Sequence, residues 1–135
     1  MAGYNTFIMQ QRRKAWRYVD RMHRCPVNAV RLNARNTDAH EEMKYRICRQ
    51  LNREGKEFLT ECILQNGRRV DILVLDDVKI IEILASETER QCAQKVQAYY
   101  SAHYEIVFVD ASQPWTELDE SNFKFNSFFK YTLIF

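Results

Sequence analysis

Residues 61–86, ECILQNGRRVDILVLDDVKIIEILAS, hold three apolar, β-branched runs separated by two turn signals, with one acidic residue inside each run. Asn66-Gly67 suits a tight hairpin, since Gly accepts positive φ without a Cβ clash, and Asp76-Asp77 marks the second turn. Strands are expected at about 57–64, 69–75 and 79–84. A carboxylate among Val, Ile and Leu is poorly placed for burial, because desolvating an unpaired charge is costly or shifts its pKa. Glu61, Asp71 and Glu82 on adjacent strands therefore point to a cation site. A three-residue hairpin loop, 65–67, sets Glu61 opposite Asp71, whereas a two-residue loop shifts the pairing by one.

The flanking segments complete an α/β pattern. Thr37 or Asp38 opens a helix, with Asp38 and Glu41 spaced as a capping box and Met43, Ile47 and Leu51 as the buried stripe. Gly55 is its stop signal, and His40 and Lys44 share one face, to meet a phosphate or to form a polar helix edge. Ser86 and Glu89 form a second capping box for a helix to about Ala102, with Cys92, Val96 and Tyr99 on its apolar side. Tyr104–Val109 is a continuous apolar strand, so a right-handed crossover should pair it parallel to the Glu82 strand. The expected fold is a single α/β domain, a mixed β-sheet flanked by helices.

Charge is segregated along the 135 residues. The first 35 carry Arg12, Arg13, Lys14, Arg17, Arg21, Arg24, Arg31 and Arg35 against Asp20 alone, while the remainder is net acidic. From Asn5 to about His23, Ile8, Ala15, Val19 and Met22 with Trp16 fit an amphipathic helix ended by Pro26. Its arginine-rich face either solvates a docked helix or tracks nucleic-acid phosphates through Arg12, Arg13, Lys14, Arg17 and Arg21. Residues 27–36 read as an irregular connection. After 110, the aromatics Phe123, Phe125, Tyr131 and Phe135 suggest a final strand that packs on the core or on a second copy in a homodimer.

Composition narrows the function classes. Three Gly and two Pro leave no Gly-rich phosphate loop and no Pro-rich linker. Cys25, Cys48, Cys62 and Cys92 contain no Cys-x-x-Cys pair, which argues for free thiols rather than zinc. No apolar run reaches membrane-spanning length and no secretory h-region is present, so an intracellular, cytoplasmic protein without a membrane partner is expected.

The order helix, three strands, helix, strand, with Arg69-x-Asp71 leading one apolar strand and Lys79-Ile-Ile-Glu82-Ile-Leu-Ala-Ser86 forming the next, resembles the PD-(D/E)XK restriction-endonuclease-like superfamily. The looser set His40-x-x-x-Lys44, Glu61, Arg69-x-Asp71 and Glu82-x-x-x-Ser86 looks like the nuclease-like domains of competence-associated proteins and their archaeal or viral relatives. The resemblance covers residues 37–110, between a basic segment 1–36 and an aromatic extension 111–135. It implies a nuclease cleaving phosphodiester bonds, in DNA, with Mg2+ or Mn2+ on Asp71, Glu82 and the main-chain carbonyl of Ile83. Glu61 would assist, and His40 and Arg69 would meet the nucleic acid. The family's lysine, two residues after the Glu, is Leu84 here. Either Lys95 or Lys44 supplies that charge, or the chain is an inactive nucleic-acid-binding or assembly module.

Overall fold

The computed structural model describes residues 2–100, 103–112, 123–126 and 131–134. Three helices, α1 (Ala2–Trp16), α2 (Asp38–Arg53) and α3 (Glu89–Ala98), surround a sheet of β1 (Phe58–Ile63), β2 (Arg69–Val74), β3 (Lys79–Leu84), β4 (Glu105–Asp110), β5 (Phe123–Asn126) and β6 (Tyr131–Ile134). The strand order is β1-β2-β3-β4-β6-β5. Strands β1, β2 and β3 run antiparallel, β3–β4 and β4–β6 are parallel, and β5 returns antiparallel to β6. The fold is mixed α/β, and the parallel β3–β4 pair is the expected product of the α3 crossover.

Two apolar layers hold the sheet. Leu59, Leu73, Ile80, Ile106 and Phe108 pack on one face with Ala15 of α1 and Cys92 and Val96 of α3. Phe58, Ile72, Val74, Ile81 and Val107 pack on the other with Met43, Ile47 and Leu51 of α2. Burial on both faces explains why β3 and β4 read as unbroken apolar runs. The first hairpin closes where the Leu64 N–H donates to the Arg68 carbonyl at 2.8 Å, leaving the three-residue loop 65–67 with Gly67 at φ 86°.

Several boundaries differ from expectation. Helix α1 ends at Trp16, well before Pro26, because the chain turns there to lay Val19 beside Leu64 as an isolated bridge. Val19 is buried as expected, but Met22 is 90% exposed. Thr37, rather than Asp38, caps α2, its hydroxyl accepting the His40 N–H at 3.2 Å. The capping box of α3 is Thr88 with Gln91, two residues beyond Ser86 and Glu89, and the helix stops at Ala98. The single C-terminal strand proves to be two, and β6 extends the sheet beside β4. Phe128, Phe129, Phe135 and Trp115 lie outside the described residues.

Arg12 fastens α1 to the sheet. Its Nε and Nη2 donate to the two carboxylate oxygens of Asp76 at 2.9 and 3.2 Å, and Nε lies 3.1 Å from Glu57. Asp76 also accepts the Glu57 N–H at 3.0 Å. Asp76→Ala leaves the guanidinium and that N–H without their acceptor, so urea denaturation should show a loss of about 2–3 kcal/mol.

Candidate functional site

The site forms where β2 and β3 part. Paired positions run from Val74↔Lys79 to Ile72↔Ile81, and one step further Asp71 faces Glu82. There the Asp71 carboxylate, rather than a backbone carbonyl, takes the Ile83 N–H at 2.8 Å, and the Asp71 N–H reaches Glu82 Oε2 at 3.3 Å. Side-chain replacement of a ladder bond opens a fork into which both carboxyls project. Each carboxyl is thus held by a backbone N–H at this level of the two strands, and the two lie close enough to act on each other electrostatically.

Their environments push the two acids apart. Glu82 is 2% exposed. Burial, then the hydrogen bond and charge of Asp71, raise its pKa well above the ordinary range, against the opposing pull of Tyr99 and Lys95. Burial also acts to raise Asp71, but the bonds from Glu82, His40 and the Ile83 N–H bring it down to about 2. Of two adjacent carboxyls in a dry site, Glu82 is thus the one pushed toward its neutral form and Asp71 the one pushed toward its charged form.

Helix α2 backs the fork with charge. Its cap turns His40 inward, Nε2 lying 3.3 Å from Asp71 and Nδ1 3.3 Å from Glu41. Burial works against the imidazolium, yet the two carboxylates overcome it and raise the His40 pKa. One turn on, Lys44 is 0% exposed. Its Nζ lies 3.0 Å from Glu41 and 3.5 Å from Glu61, close ion pairs that are both off the hydrogen-bond angle. Glu61, set opposite Asp71 by the register, carries a left-handed backbone, φ 53°, in the middle of β1. Non-glycine residues in that region carry strain, which surrounding contacts must hold in place and which clusters at functional sites.

Lys44 is therefore neither a polar helix edge nor a cleft residue: it lies beneath the fork and cannot touch a substrate. It is a positioning residue for Glu61 and Glu41. Lys44→Ala would leave the buried Glu61 carboxylate without its cation, a loss of about 3–5 kcal/mol. Calorimetry should show the melting temperature falling by on the order of 10 °C, and Lys44→Met combined with Glu61→Gln should recover most of it.

Above the fork lies a cleft of about 350 Å³, lined by His40, Glu61, Arg69, Asp71, Glu82, Ile83 and Lys95. Seven residues named from the sequence thus share one cavity. Asn33, Arg35, Asn36, Glu87 and Tyr99 join them. Glu87 holds Lys95 at 3.4 Å, and the Tyr99 hydroxyl, which lies within electrostatic reach of Glu82, donates to the Arg69 carbonyl at 3.3 Å. Only Arg35 among these additions had a sequence signal, in the basic excess of the first 35 residues; Tyr99 was visible only as an apolar helix position.

The cations of α1 and of the segment just after it lie elsewhere. Arg12 is tied to Asp76 at the turn, the far end of β2 and β3 from the fork. Arg21 sits 5.2 Å from the Trp16 ring centroid, and Lys14 and Arg17 border a separate depression beside Tyr18 and His103. Arg13 is exposed, and none of these five lines the cleft. A phosphate track on α1 leading to the site is therefore not what the fold provides.

Among the described residues no group of three or more His, Cys, Asp or Glu side chains is arranged to hold a metal ion. The donor set is instead two carboxyls, with the Ile83 carbonyl on the same strand edge as the N–H that Asp71 accepts. Few, hard oxygen donors suit a small divalent cation that keeps several of its waters. The four cysteines are free thiols. Among the described residues no helix is long and apolar enough to cross a membrane. The chain matches no family model, no curated protein and no solved structure.

Proposed function

We propose that this chain is a divalent-cation-dependent nuclease of the PD-(D/E)XK type, hydrolysing phosphodiester bonds in DNA. The observation that carries this reading is the placing of the Asp71 and Glu82 carboxyls side by side at the β2–β3 fork, on a cleft also lined by Arg35, Arg69 and Lys95. Asp71, Glu82 and the Ile83 carbonyl would hold Mg2+ or Mn2+. When bound, such a cation polarises a phosphodiester and lowers the pKa of a coordinated water.

The chain's own residues supply the rest. His40 orients Asp71 through its 3.3 Å contact, and Glu82 beside Tyr99 is almost fully shielded from solvent. Leu84 fills the position of the family's lysine and packs in the core layer of Cys92 and Val96. Lys95, from the same helix as those two residues, faces the cleft and acts electrostatically on Glu82. It supplies the cation that offsets charge developing on the phosphate, a role that fixed charge in a partly dry site performs well.

The test is cleavage of supercoiled, linear and single-stranded DNA with Mg2+ or Mn2+, with Glu82→Ala as control. Activity in the wild type and none in the variant supports the reading; equal activity in both removes it. One observation favours a rival, a binding module without catalysis: the charge of Asp71 is already met by His40 and the Ile83 N–H. Titration calorimetry separates the two, since no heat of binding up to millimolar Mn2+ belongs to the rival alone.

A further inference from the structure

A second depression, of about 260 Å³, adjoins the cleft, for Glu61 and Arg69 line both. Arg24, Arg31 and His23 border it, with Cys25 at its wall. Among the described residues no carboxylate pairs with the side chains of Arg24, Arg31 or Arg69, whereas Arg12, Arg46, Lys56 and Lys95 all have acidic partners. The one acid of the depression, Glu61, is turned inward to Lys44. Three arginines thus border one hollow with no ion pair to a carboxylate among the described residues.

The rim that carries them is built rather than loose. The Arg31 N–H donates to Thr60 Oγ1 at 2.9 Å, and that hydroxyl donates to the Ala29 carbonyl at 2.7 Å. Asn28 exchanges backbone and side-chain bonds with Phe58, at 2.8 and 2.9 Å. Cys25 Sγ contacts the Thr60 carbonyl at 3.4 Å. Residues 25–31 are therefore stitched along the free edge of β1, and guanidinium forks on such a rim suit bidentate contact with phosphate oxygens. The Cys25 thiol is brought down to about 7 by its bond from Cys62, against burial, with Arg31 adding to the effect.

We propose that this second depression is a phosphate subsite for a polynucleotide strand, Arg24 and Arg31 holding a phosphodiester beyond the one that Arg69 guides to the fork. The inference rests on the nuclease reading for the path of the strand. It makes the substrate a chain of several nucleotides rather than a mononucleotide, and it moves the phosphate track from α1 to the 24–35 connection.

Binding is measured with a fluorescein-labelled single-stranded 12-mer in EDTA, as a function of salt. In Arg24→Gln/Arg31→Gln the slope of log K against log salt should fall by about 1.4, two phosphate contacts on a single strand, with affinity down about tenfold or more at low salt. Arg13→Gln/Arg17→Gln, an equal charge change at the end of α1 and the turn that follows it, should leave the slope near that of the wild type. Equal losses in both variants, or none in the first, overturn the subsite, as does a wild type that binds no oligonucleotide. Carbamidomethylation of Cys25 by iodoacetamide gives a second readout: the 12-mer should slow it in the wild type and not in Arg24→Gln/Arg31→Gln. Inorganic phosphate at the same phosphate concentration should not; equal protection by it would overturn the strand assignment. Loss of the slope alongside cleavage that survives Glu82→Ala keeps the subsite and removes the nuclease reading, and the reverse pattern does the opposite.

Discussion

Asparagine in place of Asp71 should lower Mg2+- or Mn2+-dependent cleavage by about a thousandfold, several kcal/mol of lost transition-state stabilisation, while oligonucleotide binding in EDTA persists. The asparagine oxygen can still accept the Ile83 N–H that Asp71 takes at 2.8 Å, so the fork keeps its shape. What disappears is the charge, the property a divalent cation needs. Alanine is a blunter probe, because it also leaves that N–H without an acceptor, which costs about 1–3 kcal/mol of stability. Cleavage and thermal melting measured together on both variants separate the two effects. Cleavage unchanged in Asp71→Asn would take this carboxylate out of the mechanism.

Glutamine at position 82 is expected to do the reverse to the two properties: it should abolish the cation response and strengthen the fold. The folded protein holds Glu82 protonated because burial and Asp71 raise its pKa, while the unfolded chain ionises it near the ordinary value of 4.5. Between those two values the folded state carries the extra proton, so stability falls as pH rises through that interval. Glutamine has nothing to titrate and can still donate to Asp71. The stability advantage of Glu82→Gln should therefore be absent below about pH 4 and grow as pH rises past the ordinary glutamate value. Mn2+ should raise the melting temperature of the wild type, by linkage to the folded state, and leave that of Glu82→Gln unchanged. A variant less stable than the wild type at pH 8 would contradict this account of the pair.

The strands of residues 58–84 were legible because periodicity, turn residues and β-branching agree there, and the positions of Asp71 and Glu82 at one level of the sheet follow from those turns. Glu61 joined them through the three-residue loop, which the position of Gly67 made readable. Helix ends were less legible: Thr37 and Thr88 outcompete neighbouring acid and serine signals, and local spacing cannot rank near-equivalent caps. Basic residues were misplaced for a physical reason as well. An arginine reads the same in sequence whether it solvates a helix, as Arg13 does, is tied to a turn acid, as Arg12 is, or rims a hollow, as Arg31 does. Long-range pairing decides among these, and charge counting contains none of it. Lys44 shows the same limit, since its burial depends on Glu61 arriving from β1 with an inverted backbone twist.

That twist leaves a signature open to deep mutational scanning. In β1, Phe58 packs under α2 and Leu59 under α1 and α3, whereas past residue 61 both Cys62 and Leu64 join the layer of Leu59. Tolerance to polar substitution along β1 should therefore keep time with odd numbers on the α1–α3 side up to 59 and with even numbers from 62, a half-period slip centred on one residue. Glycine at position 61 would relax the backbone that enforces the slip, and the two halves of the strand would then compete to set the rhythm for the whole.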